Sequence, residues 1–340
     1  MNESKARLTQ SQGCPKPPEH AAGDHAMQAL AIGVLGAGHF GRFHALKLAK
    51  MGLLAGVFDA SAERAALVAG ECGAPSLNRD ALIAASDAVV VAAPTAHHHA
   101  LGLEVLRAGR HLFMEKPIAA TLAQADELIA EATARRLVLQ VGHIERYSAA
   151  IIALRQAMGG FVPRALEATR VAPFRPRSLD ISVVLDLMIH DIDLVLSLVD
   201  APLTEVRAVG APVASGLPDY AVAQLGFANG AQAQITASRV AVAMERRLRL
   251  MGDQGEIRVD FLARELRALR PGAGTAAEHM PGFALTTSSW IDHDSLEAEL
   301  AAFAASIRSG TPVEADAGVG RAALDAALKI EAALRGDPAR

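Results

Sequence analysis

Short apolar runs alternate with amphipathic segments through the first half of the chain. The first run, LAIGVLGAG, is apolar throughout and ends in glycines, which is typical of a strand buried on both faces. Four similar runs follow, namely LLAGVFD, DAVVVAAPT, HLFMEKP and LVLQVGH, with helical patterns between them. A capping box of Thr121 and Gln124 marks the start of the last of these helices. The alternation predicts an α/β fold with a doubly wound parallel sheet.

The second half of the chain has the pattern of antiparallel strands. Alternating runs flank Asn229-Gly230, which is a strong hairpin signal, and a similar pair of runs flanks residues 252–255. Helical segments close the chain, and we expect the one at residues 295–309 to pack near the first domain. These patterns predict an α+β domain with an open, mostly antiparallel sheet.

The two patterns divide the chain into three parts. Residues 29–147 are predicted to form the doubly wound domain, and residues 148–335 the second domain. Residues 1–28 contain charges and prolines but lack the apolar segment of a secretion signal, so we expect a disordered extension. Met27 stands directly before the first strand and is an alternative start of translation.

Composition and charge narrow the class of partner. The 340 residues carry a formal net charge of -4, and no cluster of Lys and Arg marks a surface for nucleic acid or anionic lipid. There is no run of about 18 apolar residues that would predict a membrane span. Cys14 and Cys72 have neither metal nor disulfide spacing, which fits a reducing compartment. We therefore expect a cytoplasmic protein that binds a small molecule and neither nucleic acid nor membrane.

A glycine-rich motif directly follows the first strand. In G-A-G-H-F-G, Gly36 allows a tight turn, Gly38 lets a pyrophosphate approach the backbone, and Gly41 lets the helix pack closely on the strand. His39 and Phe40 lie between the last two glycines, where free N–H groups at the helix start attract an anion. The motif predicts a dinucleotide-binding site.

The end of the second strand selects the dinucleotide. Asp59 closes LLAGVFD, and a carboxylate at this place accepts hydrogen bonds from the ribose hydroxyls of NAD and repels the 2′-phosphate of NADP. We therefore expect NAD as the cofactor. Arg64 follows shortly and can accommodate a phosphate, so the sequence leaves NADP open.

The segment AAPTAHHHALGLEVLRAGRHLFMEKP adds a more specific signature. Pro94, Thr95 and His98 follow the third strand, and the fourth strand closes with E-K-P at Glu115 and Lys116. With the glycine loop, this pattern resembles the glucose-fructose oxidoreductase, inositol dehydrogenase and MocA family over nearly the whole chain after the extension. That family joins a Rossmann domain to an α/β domain with an open, mostly antiparallel sheet.

The resemblance also implies roles for these residues. It implies that Lys116 reaches the substrate hydroxyl beside the nicotinamide, that Pro94, Thr95 and His98 belong to the loop against the nicotinamide ribose, and that Glu115 lies at the cofactor site. A homo-oligomer, dimer or tetramer, formed through the open face of the second sheet is a further implication. The three consecutive histidines from His97 do not predict a metal site, because side chains at successive helical positions fan out around the axis.

The segment VGHIERY points to one branch of the family. H-I-E-R followed by an aromatic is similar to nucleotide-sugar dehydrogenases, especially UDP-N-acetylglucosamine 3-dehydrogenases, and it makes Arg146 a candidate substrate ligand. Those relatives usually continue with Asn-Pro, where this chain has Ser148-Ala149.

The segment SLDISVVLDLMIHDIDLVLSLV combines helical periodicity with acids and a histidine. Asp186 and His190 are four residues apart, hence on one face of a helix, where a carboxylate can orient an imidazole and hold its positive form. They match the D-x-x-x-H of the family's active site. We expect His190 to be the general base, Asp186 to orient it or bind a substrate hydroxyl, and Lys116 to stabilise the alkoxide. The residues leave open whether His190 and Lys116 exchange the role of base, and we expect Asp191 and Asp193 to be structural or adjacent to the substrate.

Arginines upstream of this helix suit a phosphorylated substrate. Arg175 or Arg177 is predicted to contact the diphosphate of a nucleotide sugar, with a solvated loop as the alternative. Together with these residues, the resemblance implies an NAD-dependent dehydrogenase that oxidises a secondary hydroxyl of a sugar, with UDP-N-acetylglucosamine as the favoured substrate. A free sugar or inositol dehydrogenase, an NAD-dependent glycosidase and a non-catalytic NAD(P)-binding regulator are the alternatives.

Overall fold

The computed structural model describes residues 30–176, 179, 181–272, 274–278 and 280–336. The predicted extension at residues 1–28, including Met27 and Cys14, lies outside the described residues, as does Arg177.

Five strands form a parallel sheet in the order β2-β1-β3-β4-β5. They are β1 (Ile32–Leu35), β2 (Leu54–Phe58), β3 (Ala88–Val91), β4 (His111–Met114) and β5 (Leu139–Val141). Every residue of β1 and β3 is buried, because helices cover both faces of the sheet, so the predicted doubly wound sheet is confirmed. The chain moves from β1 to one side and then back to β3, and this reversal opens a crevice at the carboxyl ends of these two strands.

Helices connect these strands where the apolar periodicity predicts them. They are α1 (His39–Lys50), α2 (Ala62–Cys72), α3 (Arg79–Ala84), α4 (His98–Arg107) and α5 (Leu122–Arg135). At the start of α5 the backbone N–H of Gln124 donates to Thr121 Oγ1 (3.3 Å). The Gln124 side chain accepts from the N–H of Ala120 (3.2 Å) and not from that of Thr121, so the capping box closes one residue earlier than expected.

A second sheet of nine strands has the order β13-β14-β12-β11-β10-β6-β9-β8-β7. Its strands are β6 (Ala165–Val171), β7 (Leu203–Ala211), β8 (Tyr220–Phe227), β9 (Gln232–Ser238), β10 (Glu245–Gly252), β11 (Gly255–Asp260), β12 (Glu265–Pro271), β13 (Thr275–Ala276) and β14 (Phe283–Ser289). All neighbouring strands are antiparallel except β6 and β9. Both predicted hairpins are present, β8 with β9 around Gly230 and β10 with β11 around Gly255, and both glycines have positive φ.

The remaining helices are α6 (Ala149–Met158), α7 (Ile189–Leu198), α8 (Ser295–Ser309) and α9 (Ala317–Leu334). Although α8 follows the second sheet in sequence, it packs on the first: Phe303 meets Phe113 of β4 with ring centroids 5.6 Å apart. Helix α9 buries Leu324 with the core of the first sheet and Ile330 with the core of the second. The two sheets are therefore joined by shared apolar packing. Within the described ranges, no helix combines the length and apolarity that a membrane span needs.

Candidate active site

The glycine-rich turn between β1 and α1 lies at the crevice of the first sheet. A Cβ on Gly36 (φ +100°) would overlap the carbonyl of Ala92, and one on Gly41 would overlap the carbonyl oxygen of Gly36. At Gly38, by contrast, a Cβ would meet nothing within 4 Å. This open face lies at the N-terminus of α1, whose backbone N–H groups suit a pyrophosphate. The turn thus fits a dinucleotide in the manner its sequence predicts.

Asp59 is fixed at the end of β2 beside this turn. Its Oδ2 accepts from the N–H of Ala37 (2.7 Å), and its Oδ1 accepts from the N–H of Ser61 (2.8 Å) and from Arg64 Nη2 (2.7 Å). Burial alone would raise the pKa of Asp59, but these hydrogen bonds outweigh burial and hold the pKa below its usual range. The group is therefore an oriented carboxylate, as recognition of the ribose of NAD requires.

A cleft of about 590 Å³ extends from this carboxylate across the crevice. Gly36, Gly38, Asp59 and Pro94 line it, and so does Arg64, which is already bound to Asp59. His39 and Phe40 stand exposed at the first turn of α1. The residues present therefore fit NAD.

His98 lies behind the loop and connects it to the next strand. It is buried, with Nε2 2.8 Å from the carbonyl oxygen of Ala93 and Nδ1 2.8 Å from that of Pro117. Burial lowers the pKa of His98 despite these two acceptors, so the neutral ring donates to one carbonyl at a time. His98 holds the Pro94–Thr95 loop against the E-K-P turn without facing the cleft. His97 instead lines the cleft.

The E-K-P turn after β4 carries two charged side chains with different partners. Glu115 turns inward and lies 2.6 Å from Nε2 of the buried His44. Burial raises the pKa of Glu115, but the hydrogen bond from His44 and the charges of His44, Lys116 and His98 together outweigh burial and hold the pKa below its usual range. Lys116 reaches towards the second sheet, where Nζ donates to the backbone oxygen of Asp186 (2.7 Å) and lies 3.8 Å from Asp186 Oδ1. The structure therefore brings Lys116 and Asp186 together, whereas the carboxylate of Glu115 is bound to His44.

The segment that carries Asp186 and His190 is not a uniform α-helix. Val184–Met188 is a π-helical turn that leads into α7, and π-helical turns often occur at functional sites. The spacing in sequence allows Asp186 to hold His190 in its positive form, but the structure does not favour that form. The pKa of His190 lies well below 6.5, because burial and the charges of Lys116 and Arg170 disfavour the imidazolium. His190 is therefore neutral near pH 7, and its Nδ1 has no hydrogen-bond partner among the described residues.

The two other acids of this segment form buried ion pairs. Asp191 accepts from Nε (2.6 Å) and Nη2 (3.0 Å) of Arg170 on β6. Asp193 accepts from Nε and Nη2 of Arg146, at 2.7 to 3.0 Å. The predicted substrate ligand Arg146 is thus buried, and its guanidinium is bound to Asp193. This contact could not be predicted from the sequence, because it depends on how α7 meets the loop after β5.

A second cleft, of about 140 Å³, adjoins Asp186. Arg170 and Arg175 line it with Arg246 of β10, which the sequence analysis did not select. A signal was present: in the alternating run ERRLRLMG, Arg246 shares a face with Leu248 and Leu250, which are buried. An arginine on the apolar face of a strand is a candidate ligand, and the cleft is therefore basic next to the Lys116–Asp186 pair.

Comparison with known proteins agrees with this geometry. The model of an oxidoreductase family with an NAD-binding Rossmann fold matches residues 30–143, and the model of the GFO/IDH/MocA C-terminal domain matches residues 155–258. The chain is 46% identical to the UDP-N-acetylglucosamine 3-dehydrogenase of Acidithiobacillus ferrooxidans, over 90% of this chain and 97% of that protein. It is 29% identical to the myo-inositol 2-dehydrogenase of Thermotoga maritima, over 87% and 93%.

A solved structure agrees as well. The UDP-N-acetylglucosamine 3-dehydrogenase from Acidithiobacillus ferrooxidans superposes with a TM-score of 0.86 and 43% identity, covering 91% of this chain and 99% of that one. The chain therefore belongs to the GFO/IDH/MocA family and is an oxidoreductase with an NAD-binding Rossmann domain.

Proposed function

We propose that this oxidoreductase oxidises a secondary hydroxyl of a sugar, namely the C3 hydroxyl of UDP-N-acetylglucosamine. The observation that carries the proposal is the contact between Lys116 and Asp186 beside the neutral His190, at the carboxyl edge of the first sheet. The similarity to the Acidithiobacillus enzyme supports the choice of substrate.

NAD, when bound at the Gly38 turn and Asp59, supplies a hydride acceptor. Lys116 donates a hydrogen bond to the substrate hydroxyl and stabilises the negative charge that develops on its oxygen. The backbone oxygen of Asp186 fixes the direction of the Lys116 ammonium. His190 accepts the hydroxyl proton, since a neutral imidazole with a low pKa is in its basic form at physiological pH.

An assay of NADH formation tests this proposal. UDP-N-acetylglucosamine, N-acetylglucosamine and myo-inositol are compared as substrates, and the nucleotide sugar is expected to have the highest kcat/KM. Lys116→Ala should lower kcat by about 10²- to 10³-fold, the usual loss when one stabilising donor of an oxyanion is removed. Lys50→Ala is the matched control, because Lys50 lies on the exposed surface of α1 and pairs with Glu297.

The same assay separates the alternatives. The myo-inositol dehydrogenase relative makes a free polyol the second candidate, and a higher kcat/KM for myo-inositol would replace the proposal with that activity. NAD binding without turnover of any substrate in the panel would favour a regulator.

Arg175 contributes to phosphate binding in this proposal, since it lines the basic cleft beside Asp186. Arg177, its predicted companion, lies outside the described residues. Replacing both by alanine is expected to raise the KM for the UDP-sugar and to leave the KM for NAD unchanged. An unchanged KM for the UDP-sugar would remove these arginines from the substrate site.

The proposal includes a homo-oligomer in the cytoplasm. The outer face of the second sheet carries rows of opposite charges, such as Arg249 between Glu167 (3.3 Å) and Glu256 (2.6 Å). Rows of both signs allow two copies of one face to meet in opposite directions. Light scattering is expected to give the mass of a dimer or tetramer, and the mass of a monomer would contradict this part.

A further inference from the structure

Two arginines occupy positions where strands β6 and β10 otherwise bury apolar side chains. On β10, Arg246 follows the same face as Leu248 and Leu250, and on β6, Arg170 follows the same face as Leu166 and Ala168. A charged side chain on such a face costs desolvation energy and is rarely found without a partner. An anion close to each arginine would therefore offset this cost.

The two arginines are also directly opposite each other. In the antiparallel register of β6 and β10, Arg246 pairs with Arg170, and like charges in such a cross-strand pair are destabilising. Local conflicts of this kind occur mainly at functional sites.

The nearby carboxylates are bound mainly by Arg170. Asp191 accepts two hydrogen bonds from it, and Glu145 Oε1 accepts a third from its Nη1 at 3.0 Å. Arg246 Nη1 lies 3.4 Å from the same oxygen of Glu145, longer than an ordinary charge-assisted hydrogen bond. This is the one ion pair of Arg246 among the residues that the structure describes. Arg170 is thus satisfied inside the protein, whereas Arg246 is only weakly paired.

The environment of Arg246 makes its charge costly. Burial lowers the pKa of Arg246, the charge of Arg170 lowers it further, and Glu145 and Asp191 do not compensate fully. The side chain is nevertheless 40% exposed, so a ligand can reach it. An incoming anion would relieve the repulsion and receive the two parallel N–H donors of the guanidinium.

The cleft connects Arg246 to the proposed site of reaction. Asp186, which contacts Lys116, lines one part of it, and Arg246 and Arg175 line another. We propose that Arg246 is the principal residue of an anion subsite that, with Arg175, binds the diphosphate of a nucleoside diphosphate sugar whose hydroxyl lies at Lys116. The identity of the sugar rests on the proposed function, but the subsite is defined by its affinity for a diphosphate.

Calorimetric titration of the NAD-saturated protein with UDP and with inorganic pyrophosphate tests the subsite. Saturation with NAD fills the Gly38 turn, so that the added diphosphate reports on the second cleft alone. Arg246→Gln is expected to weaken UDP binding by about tenfold or more, as for the loss of a charge-assisted hydrogen bond. Arg246→Lys keeps the positive charge but lacks the two parallel N–H donors of a guanidinium. Its affinity for UDP is expected to lie between that of the wild type and that of Arg246→Gln.

Arg247→Gln is the matched control. Arg247 neighbours Arg246 on the same strand, but it points to the opposite face, where it is half-exposed and pairs with Asp260 (3.1 Å) and Glu245 (2.9 Å). Its replacement should leave UDP affinity unchanged. Arg246→Gln should unfold at a temperature no lower than the wild type, because it removes a like-charge pair. Such an unfolding temperature would exclude misfolding as the cause of weaker UDP binding.

The outcomes distinguish this inference from the proposed function. Equal UDP affinity in the wild type and Arg246→Gln would overturn the subsite, even if UDP-N-acetylglucosamine is oxidised. A wild type that binds neither UDP nor pyrophosphate would overturn it too. Weaker diphosphate binding in Arg246→Gln together with no turnover of UDP-sugars would support the subsite and refute the proposed function.

Discussion

At the scale of single residues, the central question is which side chain takes the hydroxyl proton. His190 and Lys116 are both within the site, and the sequence alone does not separate them. Burial and the charge of Lys116 keep His190 neutral, whereas Lys116 is hydrogen-bonded to the backbone oxygen and close to the carboxylate of Asp186. A neutral base beside a cation suits removal of a proton from a hydroxyl whose oxygen becomes negative.

The assignment of His190 as the base predicts how kcat/KM changes as the pH falls below neutrality. Because the pKa of His190 lies well below 6.5, its basic form is present from neutral pH down to about that value. With saturating NAD, kcat/KM should therefore stay constant as the pH falls to 6.5 and decrease only below it. Steady-state rates of NADH formation across this range provide the measurement.

The control is His99→Asn, since His99 binds Glu127 on the exposed side of α4 and should not alter the profile. A decrease that begins well above pH 6.5 would contradict the assignment and favour Lys116 as the base.

At the scale of elements, two glycines of the β1–α1 turn have different roles, one in the packing of the fold and the other in cofactor binding. A Cβ at Gly41 would overlap the backbone of Gly36, whereas one at Gly38 would project into open space. Gly41→Ala is therefore expected to destabilise the protein by about 1–3 kcal/mol, as overpacking does. Gly38→Ala should unfold like the wild type but weaken NAD binding about tenfold or more, because its methyl group occupies the approach of the pyrophosphate.

Chemical denaturation and NAD titration of both variants measure these effects. Normal NAD affinity in Gly38→Ala would show that the pyrophosphate does not approach the turn at this residue.

The same elements show what the sequence could predict. The glycine turn, Asp59 and the hairpins were predictable, because each depends on residues close in sequence or on one βαβ unit. The pairing of Arg246 with Arg170 was not, because it depends on the register between two distant strands. The low pKa of His190 was not predictable either, since it reflects burial between elements that only the fold brings together.

At the scale of the whole molecule, helix α8 buries a carboxyl group against the first sheet. The Glu299 side chain is fully buried, and neither of its oxygens has a hydrogen-bond partner among the described residues. Burial raises the pKa of Glu299 well above 4.5, and the nearby charges of Glu115 and Asp193 add to the effect. Between pH 4.5 and this raised pKa, the folded protein therefore keeps a proton on Glu299 that the unfolded chain has released.

This difference predicts a pH dependence of stability. A carboxyl whose pKa is raised by folding makes the folded state less stable as the pH rises above the unfolded value, here 4.5. Glu299→Gln removes the ionisable group. The free energy of unfolding of this variant, minus that of the wild type, should therefore grow as the pH rises from 5 to 8. Urea denaturation of both proteins across this range measures the difference.

Glu63→Gln provides the comparison, since Glu63 is exposed on α2 and should not change the pH dependence. A loss of stability of Glu299→Gln relative to the wild type over this range would show that Glu299 does not carry a raised pKa in the folded state.

Oxidation at C3 of a UDP-linked sugar transfers the hydrogen on C3 to NAD, and isotope labelling detects this transfer. UDP-N-acetylglucosamine carrying deuterium at C3 is incubated with the protein and NAD, and the reduced cofactor is analysed by mass spectrometry. We predict reduced NAD that carries the deuterium, and a label transfer about 10²- to 10³-fold slower with Lys116→Ala. Unlabelled NADH, or no NADH from this substrate, would contradict oxidation at C3 of UDP-N-acetylglucosamine.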